Sequence, residues 1–139
     1  MRAVIDTCVI LDYLQGREPF FDDALGLAIG MANREFEGYI TANSLTDINY
    51  IVHRQTHSSI ETRKIVTELT LLFGLADTCA EDCINALHNG MNDFEDAVIS
   101  ETAYRIRADY IVTRNERDYS GSKVPAVSPG EFLMKLNDQ

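Results

Sequence analysis

Five short apolar runs alternate with longer stretches of helical periodicity, and this alternation most narrows what the chain can become. The runs are Arg2–Asp6, Gly38–Thr41, Leu75–Asp77, Tyr110–Thr113 and Val124–Val127. Helical spacing fills the intervals, near Val9–Leu14, Phe20–Phe36, Ser44–Arg54, Ser58–Phe73, Ala80–His88 and Asp93–Arg107. Strands spaced this way cannot close as tight hairpins; they pair in parallel and need helices over both faces. The expected fold class is therefore α/β: a three-layer α/β/α arrangement around a central, mostly parallel five-stranded sheet, formed by residues 1–139 as a single domain.

Local signals support the boundaries. Gly16 closes the first helix, and Ser58 or Ser59 caps the fourth. Asn89-Gly90 ends the helix that starts near Ala80. Ser128-Pro129-Gly130-Glu131 opens a last helix with a capping box and proline at its first position.

In a parallel sheet, ligands bind beyond the carboxyl ends of the strands, where strand order reverses. Four acids fall at such positions: Asp6 directly after the first strand, Asp47 a few residues past the second, Asp96 one turn into a helix, and Asp118 after the fourth strand. Carboxylates gathered from distant segments repel unless a cation lies among them, and oxygen donors suit Mg²⁺ or Mn²⁺. Phosphoryl chemistry is the commonest use of such a site.

Each acid also has a purely local reading. Asp6 can cap the helix after it, and Ser44-Leu45-Thr46-Asp47 resembles a capping box. Asp93, three before Asp96, either caps that helix or adds a ligand, while Glu95 is expected to point away into solvent. Asp118 can be an ordinary turn residue, with Asn115 as a competing donor. Asp12 reads as exposed, and Asp22-Asp23, Asp77 and Glu81-Asp82 as solvated faces and caps.

Other chemistries find little support. No nucleophile elbow, Walker loop or dinucleotide fingerprint occurs, and the three histidines form no ligand set. Cys8, Cys79 and Cys83 match no disulfide or zinc pattern and read as buried thiols. No apolar run approaches the ~20 residues of a membrane span, so a cytoplasmic protein without membrane contact is expected. The net charge of −10 is unfavourable for tight, non-specific binding to nucleic acid and favours a specific substrate or a basic partner. Part of that charge is the acidic site itself, and basic pairs remain at Arg63/Lys64, Arg105/Arg107 and Arg114/Arg117.

The segments V-I-D-T-C-V-I-L-D, L-T-D-I-N-Y-I-V, D-F-E-D-A-V-I-S-E-T-A and Y-I-V-T-R-N-E-R-D-Y, in that order and spacing, resemble the PIN domain of VapC-type toxin ribonucleases. The likeness covers essentially the whole chain. By position it implies catalytic acids at Asp6, Asp47, Asp96 and Asp118, with Asp6, Asp96, Asp93 and Asp118 as metal ligands. Asp47 stands where the family more often has Glu. Thr7, Thr113 and Asn115 match polar positions lining the pocket, and Arg114 is a candidate contact to the substrate backbone. The resemblance further implies metal-assisted hydrolysis of RNA, a basic antitoxin partner and a homodimer. The competing expectation is a PIN module that binds metal or protein with little or no turnover.

Overall fold

The computed structural model describes residues 1–139. The sheet contains β1 (Arg2–Ile5), β2 (Glu37–Thr41), β3 (Gly74–Ala76), β4 (Tyr110–Val112) and β5 (Ala126–Val127). Its order is β3-β2-β1-β4-β5. Every pairing is parallel, which sharpens the expected mostly parallel sheet. The helices are α1 (Thr7–Gln15), α2 (Phe21–Ala32), α3 (Ala42–Thr56), α4 (Ser59–Leu72), α5 (Ala80–Ala86), α6 (Phe94–Arg105) and α7 (Pro129–Asn137).

Strand β1 is central and buried on both faces, which is why Ala3-Val4-Ile5 is an unbroken apolar run. Ala3 and Ile5 join the larger core with α1, α2, α3, α4 and α7. Val4 faces the other way, into a smaller core with Ile99 and Ala103 of α6 and with Tyr119. Ala86 of α5 packs on Ala97 and Val98 of α6. The first two clusters fill the two faces of the sheet between the three layers, and the third packs α5 on α6 within one helical layer. Phe132 of α7 is fully buried, edge-on to Phe36 at 4.9 Å and Tyr110 at 6.1 Å. Its burial stabilises the α7 contact by about 2–3 kcal/mol.

Several local expectations change. Thr41, rather than Ser44, opens α3: its hydroxyl accepts from the Ser44 N–H at 3.1 Å and donates to Ser44 Oγ at 2.8 Å. Asp47 is therefore free of any capping duty. Helix α2 stops at Ala32, and Arg34 takes a left-handed turn that brings Phe36 back into the core. Ile29, expected on the buried face, is exposed. Helix α5 ends at Ala86, before Asn89-Gly90.

Two acids expected in solvent are buried. Asp12 is 1% exposed and paired with Arg114. Asp82, also 1% exposed, accepts from the Cys79 N–H, Thr102 Oγ1 and the Arg105 guanidinium. All three cysteines are free and half-buried rather than buried. No helix is long and apolar enough to cross a membrane.

Candidate active site

The chain builds β2 and β3 on one side of β1, then returns to place β4 and β5 on the other. The switch point lies between β1 and β4, and their carboxyl ends deliver Asp6 and Thr113 side by side. The Asp6 N–H continues the sheet by donating to the Val112 carbonyl at 2.9 Å. Its side chain caps α1, accepting from the Thr7 N–H at 2.8 Å. The Thr113 hydroxyl donates to the other carboxylate oxygen at 2.8 Å. Capping and site membership thus coexist in one carboxylate with two usable oxygens.

Burial pushes the Asp6 carboxyl above its ordinary range, although bonds from Thr113, Thr7 and Cys8 pull the other way. Cys8 Sγ lies 3.7 Å from Asp6 Oδ2. The Thr7 hydroxyl, matched by position to the pocket lining, is buried without a partner; it is the Thr7 backbone N–H that orients Asp6.

Helix α6 supplies the next acids. Asp93 is its cap, accepting from the Asp96 N–H at 2.9 Å, so one Asp93 oxygen is engaged locally. Asp96 is pushed up to about 6, by burial first and then by Asp6, Asp93 and Asp118. Asp118 lies in a 3₁₀ turn, Glu116–Tyr119, and is exposed at the rim. Asn115 is also at the rim, and its N–H donates to Thr113 Oγ1 at 3.0 Å.

Glu95 is exposed, as expected, yet it does not stand apart from the other acids. It turns toward Asp47 of α3, and its carboxyl is pushed up to about 7 by partial burial and then by Asp47, Asp93 and Asp96. Asp47 therefore reaches the acidic group through Glu95. Sequence reasoning also missed Tyr119, which is buried and donates its hydroxyl to Asp96 Oδ1 at 3.3 Å. Burial first, then Asp6 and Asp96, raises the Tyr119 phenol, so it stays a donor. Its position next to Asp118 was the only available signal.

Arg114 was expected at the substrate. Its guanidinium is instead committed to Asp12, with Nε 2.6 Å from Oδ2 and Nη2 3.2 Å from Oδ1. Arg105, one of the apparent basic pairs, is similarly spent on Asp82.

No three histidine, cysteine, aspartate or glutamate side chains converge closely enough to hold a metal ion. The acids instead form two linked groups, Asp6 with Asp96 and Asp47 with Glu95, flanked by Asp93 and Asp118. Their donors are all carboxylate oxygens, and no salt bridge neutralises any of them. That charge and donor type fit a hard divalent cation; the spacing shown does not close a three-ligand cage.

A parallel sheet with an unneutralised acidic group at its switch point defines a narrow class of α/β protein. A profile of the PIN domain matches residues 2–117. The chain belongs to the PIN domain family. No curated protein sequence matches it. Among solved structures it is similar to VapBC2 from Rickettsia felis, solved with a DNA fragment from its promoter (TM-score 0.69, 12% identity, 92% of this chain and 98% of that one). FitAcB from Neisseria gonorrhoeae is comparable (0.66, 14%, 92% and 98%). So is Mycobacterium tuberculosis VapC20, described as a toxin that cleaves the sarcin-ricin loop (0.61, 10%, 78% and 86%). At such identities these likenesses establish the fold.

Proposed function

We propose that the chain is a divalent-metal-dependent endoribonuclease that hydrolyses RNA phosphodiester bonds in the cytoplasm, as the toxin of a toxin–antitoxin pair. One observation carries this reading: Asp6, Asp96 and Glu95 all hold protons above their ordinary range, because burial and, for Asp96 and Glu95, neighbouring carboxylates disfavour their charged forms. A protein gains little from such an arrangement unless a ligand relieves it.

Asp6, Asp96, Asp93 and Asp118 would hold Mg²⁺ or Mn²⁺, with Asp47 joining through the Glu95 side of the group. When bound, the metal supplies an activated water and charge stabilisation at the phosphate. The chain's own residues hold and orient. Thr113 fixes the Asp6 carboxylate, Tyr119 fixes Asp96, and the exposed Asn115 offers a polar contact to substrate. A basic antitoxin segment would bind the same acids as a competing cation, which suits the net charge of −10.

The second reading, a PIN module that binds metal or protein with little or no turnover, is favoured by the open spacing of the acids. Cleavage of a mixed total-RNA and transfer-RNA pool in Mn²⁺ or Mg²⁺ separates the two. Discrete fragments from the wild type, absent with Asp6→Asn and Asp96→Asn, are expected. Intact RNA despite confirmed metal binding selects the second reading.

A further inference from the structure

We propose that Asp12 and Arg114 are positioning residues: together they clamp the Arg114–Asp118 loop to α1 and thereby set Thr113 against Asp6. Its catalytic consequence rests on the nuclease reading above; its geometry does not.

The clamp is a closed circuit that starts and ends on α1. Asp6 caps that helix and Asp12 lies in its later part, where the Asp12 carbonyl also accepts from the Arg17 N–H at 3.0 Å. Arg114 meets Asp12 through two nitrogens, and its guanidinium carbon lies 4.0 Å from the centre of the Phe20 ring. A forked ion pair against an aromatic face fixes the plane of the guanidinium as well as its distance.

Thr113, next in the chain, is fully buried; its N–H donates to the Val127 carbonyl at 3.0 Å. Its hydroxyl makes two bonds at once, donating to Asp6 and accepting from the Asn115 N–H. The second bond requires the chain to fold back sharply at Arg114, and the Asp12 anchor holds that bend. Asn115 and Asp118 ride on the same loop, and the Asp118 N–H donates to the Asn115 carbonyl at 3.0 Å.

Stability alone explains the pair poorly. An ion pair with one partner 1% exposed loses much of its attraction to desolvation, and apolar residues of similar size often pack as well. Fixing one loop geometry is what a fork contributes and an apolar contact does not. Arg114, occupied at Nε and Nη2 and covered by Phe20, is therefore assigned to the loop rather than to a substrate phosphate.

The test compares Arg114→Lys and Asp12→Asn with the wild-type chain by amide hydrogen exchange and by RNA cleavage in Mn²⁺. In both variants the Asn115 amide should lose about tenfold or more of its protection while the Thr113 amide, bonded to Val127, keeps its own. Cleavage should show kcat reduced about tenfold with KM for RNA unchanged, as is usual for a lost supporting partner. Adding Thr113→Val to Asp12→Asn should cost no more than Thr113→Val alone, since both act through one hydroxyl.

Uniform loss of protection across the strands would overturn the proposal, leaving the pair a general stabiliser. Unchanged Asn115 protection with a raised KM in Arg114→Lys alone would also overturn it and return Arg114 to the phosphate. If the wild type cleaves no RNA, the nuclease reading fails, and Asn115 exchange still decides the clamp. Should Arg114→Lys fail to fold, Asp12→Asn carries the same comparison.

Discussion

The Thr113 hydroxyl donates to Asp6 Oδ2 at 2.8 Å, joining the carboxyl ends of β4 and β1 across 107 residues of chain. This bond lies at the switch point of the sheet and links the first acid of the site to the loop that carries Asn115 and Asp118. Thr113→Val keeps the shape and removes both bonds of the hydroxyl. Stability should fall by about 1–2 kcal/mol, because a buried carboxylate and a backbone N–H each lose a partner. RNA cleavage should fall about 10–100-fold. Urea unfolding and initial cleavage rates read the two effects separately.

The metal-free protein should become less stable as pH rises. Asp96 is pushed up to about 6 and Glu95 to about 7, so the folded chain binds more protons than the unfolded one above about pH 4. That stabilisation is fully present below the unfolded values and is lost as pH passes through 6 and 7. Asp96→Asn should therefore be more stable than wild type at pH 8 by about 1 kcal/mol, less than full linkage because solvent screens a half-exposed carboxyl. Near pH 4 the gap should close. Urea midpoints at the two pH values settle it, and an Asp96→Asn protein weaker at both would contradict the charge account.

Glu95→Gln removes the acid facing Asp47. Because protons compete with metal, the acid limb of the wild-type pH–rate profile should lie near 7, set by Glu95. In the variant it should move down toward about 6, where Asp96 titrates. The Mn²⁺ concentration for half-maximal activity should rise about tenfold. An unmoved limb would mean that Glu95 is a bystander.

Asp82 gives a contrast far from the acids. Burial alone would raise its carboxyl, but Arg105, the Cys79 N–H and Thr102 outweigh it and hold the group below its ordinary range. Asp82→Ala leaves Arg105 and the start of α5 without their partner, so about 3 kcal/mol of stability should be lost. The wild-type contribution is present above about pH 4 and fades as pH falls through the lowered value. Metal affinity per folded molecule should not change, which calorimetry at low temperature can verify.

The fold was legible because its signals are local. Ala3-Val4-Ile5, Tyr110-Ile111-Val112 and the helical stripes between them report burial through spacing alone, and Ser58 and Ser128 mark helix starts by direct bonds to nearby N–H groups. Where local rules misled, the junction of two elements or a longer-range contact prevailed. Thr41 displaced Ser44 as the cap because the end of β2 feeds directly into α3. Asp12 and Asp82 looked solvated because their partners, Arg114 and Arg105, lie 102 and 23 residues away.

The sequence by itself determined the alternation of strands and helices, the family, and the acids that follow the strands. These rest on periodicity and order, which survive without coordinates. Only the tertiary structure decided how the acids sort: Glu95 toward Asp47, Tyr119 onto Asp96, and Arg114 away from the cleft onto Asp12. Carboxylates and guanidinium groups interact through space over a few ångströms, and chain order carries no record of which of them the fold will bring together.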